Sequence, residues 1–138
     1  MHRYLLIDDD DIIQFIHGKV ISKADPDAQV TTVFSVDEGL ETLKRRAPED
    51  LPDFIFVDIS MPIKSGFALI DELLAHCPVL YAALREHSRL FFLTSSVNPK
   101  DVIRSEQCEL AERMLAKPLS PAVLQKLKSS RLVSPGES

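Results

Sequence analysis

The sequence predicts an α/β fold, a doubly wound parallel sheet with helices on both faces, and three observations carry that prediction. Five short apolar runs alternate with longer amphipathic stretches, the pattern that builds a parallel sheet flanked by helices. Several of the runs are nearly continuous in apolar residues, as strands covered on both sides are. The chain has 138 residues, 45% of them hydrophobic and 27% charged, enough to enclose one core without staples. One domain over residues 1–130 is expected, with a polar tail at 131–138 and no output domain.

The first strand is Arg3–Ile7, and a helix follows from about Asp10 to Lys23 with Ile12, Ile13, Ile16 and Val20 on a broad apolar face. The second strand is Gln29–Phe34. Ser35 then caps a helix while Glu38 reaches back in a reciprocal capping box, and Val36, Leu40 and Leu43 share its buried face. The third strand is Asp53–Asp58. From Ser65 to His87 the apolar residues Phe67, Ile70, Leu73, Leu74 and Leu80 run at helical spacing, but Pro78 interrupts them. A helix ending near His76 and a second short helical piece are expected. The fourth strand is Arg89–Thr94, Asn98-Pro99 starts the next helix, Arg113–Ala116 is the fifth strand, and Ser120-Pro121 starts the last helix.

A formal charge of −5 with scattered Lys and Arg argues against direct nucleic-acid binding, which needs clustered cations. Cys77 and Cys108 lie far apart and form no CxxC pair, which fits a reduced, cytoplasmic protein. Asp8 to Asp11 break the opening apolar stretch before a signal peptide forms. No apolar run approaches the ~20 residues of a membrane span, so no membrane insertion is expected.

In an open parallel sheet, ligands bind outside the carboxyl ends of the strands. Asp8 and Asp9 end the first strand, Asp58 the third and Thr94 the fourth, and Lys117 follows the fifth. Three converging carboxylates repel one another unless a cation joins them. Mg²⁺ suits such a set, because it takes oxygen ligands and keeps several waters. His2, His17, His76 and His87 show no zinc-ligand spacing with the cysteines. Aspartate also carries phosphoryl groups covalently, and Asp58, at the end of the rigid apolar strand Phe54-Ile55-Phe56-Val57, is the best nucleophile. Lys117 offers a compact positive charge to phosphoryl oxygens and Thr94 a hydroxyl.

Nearly the whole chain resembles the receiver domains of two-component response regulators, the CheY-like superfamily, in their single-domain type. The resemblance rests on Ile7-Asp8-Asp9-Asp10, Val57-Asp58-Ile59-Ser60-Met61-Pro62, Gly66, Leu93-Thr94-Ser95-Ser96 and Lys117-Pro118, in that order at successive strand ends. It implies a flavodoxin-like sheet of five strands in the order 2-1-3-4-5. It further implies Asp58 as phosphoacceptor, Asp8, Asp9 and Asp58 with the Ser60 backbone carbonyl as Mg²⁺ ligands, and Thr94 and Lys117 as phosphate-sensing residues. A histidine kinase or histidine phosphotransfer protein is the implied donor, and a downstream protein receives the signal. Two departures stand out. Met114 occupies the switch position where such domains usually carry an aromatic residue, and the segment from Asp58 to Thr94 is longer than usual.

Simpler roles compete for single residues. Asp8–Asp11 alone reads as an acidic helix start, with Asp10 and Asp11 as first-turn acids. Lys117-Pro118 alone reads as a turn, Thr94 as a cap or turn hydroxyl, and Met61-Pro62 as backbone shaping. Gly66 starts or precedes a helix, and His17 is given no role. Other functions compete for the whole. Met114 motivates a degenerate receiver acting as a phosphorylation-independent interaction module. A flavodoxin-like cofactor binder needs a donor-rich loop after the first strand, where four aspartates stand instead. A phosphoaspartate phosphohydrolase needs an acid two residues beyond Asp58, where Ser60 stands.

Overall fold

The computed structural model describes residues 2–129. The polar tail expected at 131–138 lies outside the described residues. Five parallel strands, β1 (Arg3–Ile7), β2 (Gln29–Val33), β3 (Phe54–Asp58), β4 (Arg89–Thr94) and β5 (Ala111–Ala116), form one sheet in the order β2-β1-β3-β4-β5. Six helices connect or follow them: α1 (Asp11–Ala24), α2 (Val36–Lys44), α3 (Gly66–His76), α4 (Pro78–His87), α5 (Pro99–Glu106) and α6 (Pro121–Ser129), with a 3-10 turn at Pro48–Asp50. The doubly wound α/β architecture and its strand order are those expected.

Successive strand residues point to opposite faces, and the three central strands divide accordingly. Leu5, Ile7, Ile55, Val57, Leu90 and Phe92 enter a large cluster with Leu40, Leu43, Ile70, Leu73 and Leu84 from α2, α3 and α4. Tyr4, Leu6, Phe54, Phe56, Phe91 and Leu93 enter a smaller one with Ile21, Leu124 and Leu127 from α1 and α6. The second cluster is aromatic: Tyr4 stacks on Phe54 at 5.0 Å and Phe56 on Phe91 at 5.5 Å between ring centroids.

Several boundaries move for identifiable reasons. Phe34 leaves β2 and is largely exposed, and Asp53 precedes β3 but still exchanges bonds with Arg3. β5 begins two residues before Arg113, beyond a register irregularity beside Leu90 and Phe91. Asp10 is the N-cap of α1, its Oδ1 accepting from Ile12 N and Ile13 N at 2.9 and 3.1 Å, and only Asp11 is a first-turn acid. Ser35 caps α2 as expected, but Glu38 reaches back to Phe34 N rather than to Ser35 N. The break at Pro78 is the one expected: α3 stops at His76, and a second helix, the ten-residue α4, starts at Pro78 at an angle of 119°.

One expectation for α1 is overturned. Ile12 and Phe15 are largely exposed and Ile16 partly so, whereas the residues this helix buries are Gln14, His17 and Ile21. Of the apolar face read from sequence, Ile12 and Ile16 therefore point outward while Ile13 is half-buried and Val20 packs half-buried against the smaller cluster, because the polar side chains have backbone partners to reach. Gln14 Nε2 donates to Leu6 O, Asp8 O and Val33 O at 2.9–3.2 Å, tying the ends of β1 and β2 together. Among the described residues, no single helix is long and apolar enough to cross a membrane.

Candidate functional site

The carboxyl ends of β1 and β3 sit side by side, since Ile7 pairs with Val57, and each strand delivers an acid there. Asp8 and Asp58 are almost fully buried while Asp9 is exposed. One carboxylate oxygen from each lies within 4.8 Å of the other two.

The buried pair is held from several sides. Asp8 Oδ1 accepts from Asp10 N and Asp58 Oδ1 from Ser60 N, both at 3.0 Å, so each side chain folds its own following loop. Lys117 Nζ donates to Asp8 Oδ2 at 3.0 Å and lies 3.4 Å from Asp58 Oδ2. Burial, reinforced by the negative charge of Asp8, pushes the Asp58 carboxyl above its ordinary range, against the Ser60 N–H and Lys117. For Lys117, burial opposes the charged amine, but the hydrogen bond to Asp8 and the charge of Asp58 outweigh it and raise the pKa.

One ammonium against three carboxylates leaves the cluster two negative charges in excess. A hard divalent cation matches both that charge and the all-oxygen donor set. The 4.8 Å spread is close to the ~4.2 Å between opposite ligands of Mg²⁺, so the acids fit such an ion with small side-chain adjustments.

Thr94 is buried at the end of β4, next to β3, but its hydroxyl is turned to its own loop. It donates to Ser96 O at 2.8 Å and accepts from Ser96 N at 3.1 Å. Lys117 N donates to Thr94 O, which keeps the ends of β4 and β5 together. Met114 pairs with Phe92 in the sheet and packs, half-buried, against the larger cluster. Ser60 is exposed beside Asp58. The structure thus brings together Asp8, Asp9, Asp58 and Lys117, with Thr94 adjacent and Met114 further down β5.

Three supporting residues carry more than their sequence signal suggested. A Cβ on Gly66 would lie 2.5 Å from the carbonyl oxygen of Asp58, so only glycine lets α3 start against the backbone of this acid. Gln14 anchors the Asp8 carbonyl, and His17 Nε2 accepts from Leu119 N at 3.0 Å, two residues past Lys117. Polar residues three apart within an apolar helix were the available signal. The loop after Asp58 is anchored by Lys64, whose Nζ reaches Asp37 and Glu72 at 2.7 Å each. Beside it Ile63 is fully exposed at φ 71°, a left-handed conformation that strains a β-branched residue.

A family model described as the response regulator receiver domain matches residues 4–128. A two-component response regulator from Cytophaga hutchinsonii is 29% identical, with a TM-score of 0.81 over 91% of this chain and 92% of that one. A response regulator receiver protein from Dyadobacter fermentans is 27% identical, with a TM-score of 0.76 over 91% and 93%. A protein-glutamate methylesterase/protein-glutamine glutaminase of Methanosarcina barkeri is 27% identical over 117 residues, 81% of this chain. The chain spans only 31% of that relative's length.

Proposed function

This chain belongs to the response regulator receiver domain family, and from that premise we propose that Asp58 accepts a phosphoryl group beside a Mg²⁺ ion held by Asp8, Asp9, Asp58 and the Ser60 carbonyl. A receiver domain is a signalling switch of two-component systems, and the chemistry assigned here is what sets such a switch. The observation that carries the reading is the meeting of three carboxylates within 4.8 Å, two of them buried and bonded to one lysine.

An Asp58 oxygen bonds to phosphorus while the bond from phosphorus to the donor atom breaks, the leaving group keeping the electron pair. Buried β3 and the Ser60 N–H hold the carboxylate for in-line attack. The bound cation supplies charge neutralisation for the phosphoryl oxygens. Lys117 moves its ammonium from the carboxylates to the transferred group, and Thr94 exchanges Ser96 for a phosphoryl oxygen. These contacts favour one of two conformers and so shift the population. Half-buried Met114 repacks where relatives turn an aromatic ring. Beyond this self-modification and its reversal, no catalysis is assigned.

The donor is a histidine kinase or histidine phosphotransfer protein of the cytoplasm, and a downstream protein reads the result by contact, without nucleic acid or membrane insertion. Ile12, Phe34, Ile63 and Val97, all on segments that follow the carboxyl ends of strands, are exposed and offer apolar contact to such a donor.

Incubating the protein with acetyl phosphate and Mg²⁺ is expected to give a phosphoryl adduct by intact mass that Asp58→Asn does not form. An unmodified wild-type protein overturns the reading. Met114 favours a second one, a phosphorylation-independent interaction module, which predicts weak Mg²⁺ binding in a titration followed by NMR.

A further inference from the structure

The bond from Leu119 N to His17 Nε2 joins the first helix to the segment that carries Lys117. His17 is 1% and Leu119 2% exposed, so neither group has water as a substitute partner. The segment is held at one end by Lys117 N donating to Thr94 O at 2.8 Å, and at the other by His17. Pro118 between them has no donor of its own. From this two-point support the Lys117 side chain reaches Asp8 and Asp58.

We propose that His17 is a positioning residue for Lys117: its neutral ring, protonated at Nδ1, accepts from Leu119 and fixes the segment so that one ammonium serves both carboxylates. The proposal deepens the phosphoacceptor reading and rests on it. An Nε2 that accepts carries no proton, so the bond itself selects the tautomer. Burial lowers the His17 pKa, with Lys117 acting the same way and Asp8 opposing, which keeps the acceptor available. No metal-site acid is bonded to His17, so its replacement separates placement of the lysine from cation binding.

The test uses His17→Phe, which keeps an apolar ring and removes the acceptor, and His17→Gln, whose Oε1 can take the place of Nε2. With acetyl phosphate and Mg²⁺, His17→Phe is expected to form the adduct on the order of tenfold more slowly. Its Mg²⁺ affinity stays within about twofold, and adding Lys117→Ala slows it little further, since both changes remove one contribution. His17→Gln recovers most of the rate. A folded His17→Phe that reacts like wild type, or whose loss adds in full to that of Lys117→Ala, overturns the proposal. Long-range proton–nitrogen NMR of the wild-type ring decides the matter if His17→Phe does not fold: a proton on Nε2 excludes the role. Failure of the phosphoacceptor reading shows instead in a wild-type protein that forms no adduct, where the ring spectrum still tests His17.

Discussion

Helices α1 and α2 follow neighbouring strands, yet they bury opposite kinds of residue. α2 buries Val36, Leu40 and Leu43 and leaves its charges outside, as an amphipathic helix does. α1 buries Gln14 and His17 beside Ile21 and exposes Ile12 and Phe15. Its polar side chains bond the ends of β1 and β2 and the segment after β5, the places from which Asp8 and Lys117 are presented. Gln14 Oε1 stays buried without a partner among the described residues, a cost of this arrangement. The difference teaches that α2 serves mainly to pack the core while α1, beyond packing Ile21, holds the site, and α1 leaves Ile12 and Phe15 exposed for contact.

The largest effect expected separates those duties by stability. Leu43→Ala on α2, where the side chain is fully buried, should cost about 3 kcal/mol in urea unfolding. Phe15→Ala on α1, 66% exposed, should cost less than ~0.5 kcal/mol. Equal losses would mean that the outer side of α1 is packed after all, and the contrast would collapse.

A smaller effect comes from the glycines. A Cβ on Gly18 of α1 meets nothing within 4 Å, whereas one on Gly39 of α2 lies 2.7 Å from Ile7 Cδ1. Gly18→Ala should therefore stabilise by about 0.7 kcal/mol through helix propensity, and Gly39→Ala by less, because buried Ile7 must shift. Thermal unfolding of the two variants sharpens the comparison, and a larger gain at Gly39 would contradict it.

The smallest effect is pH-linked. His17, facing Asp8 and Lys117, has a folded-state pKa below its ordinary 6.5. As pH falls below 6.5 the unfolded chain binds the proton first, so the His17 contribution to stability is present above that value and lost below it. Urea midpoints of wild type and His17→Gln between pH 7 and pH 5 (both about the range where histidine titrates) should converge toward the acid end. Parallel curves would show that His17 titrates no differently in the fold.

Against this contrast, the legible and illegible parts of the sequence fall in order. Strand periodicity is a property of buried backbone on both sides, and it marked β1, β3 and β4 to within a residue. The acids and Lys117 were legible because chain order puts them at strand ends. The facing of α1 was not, since hydrophobic periodicity assumes that the core takes the apolar side. Gln14 and His17 face inward for hydrogen bonds to segments distant in sequence, which no local pattern encodes. The need for glycine at 66 likewise arises from the Asp58 carbonyl, and the turning of the Thr94 hydroxyl toward Ser96 from loop geometry.

The contact between Lys117 and Asp8 joins residues 109 positions apart, and β5, the strand leading to that lysine, is an outer strand of the sheet. A nascent chain emerging from the ribosome therefore displays its aspartates long before their basic counterpart exists. Until β5 docks, the acidic cluster has only solvent ions to quiet it, so the charge-balanced arrangement of Asp8, Asp58 and Lys117 is completed only once that outer strand has joined the sheet.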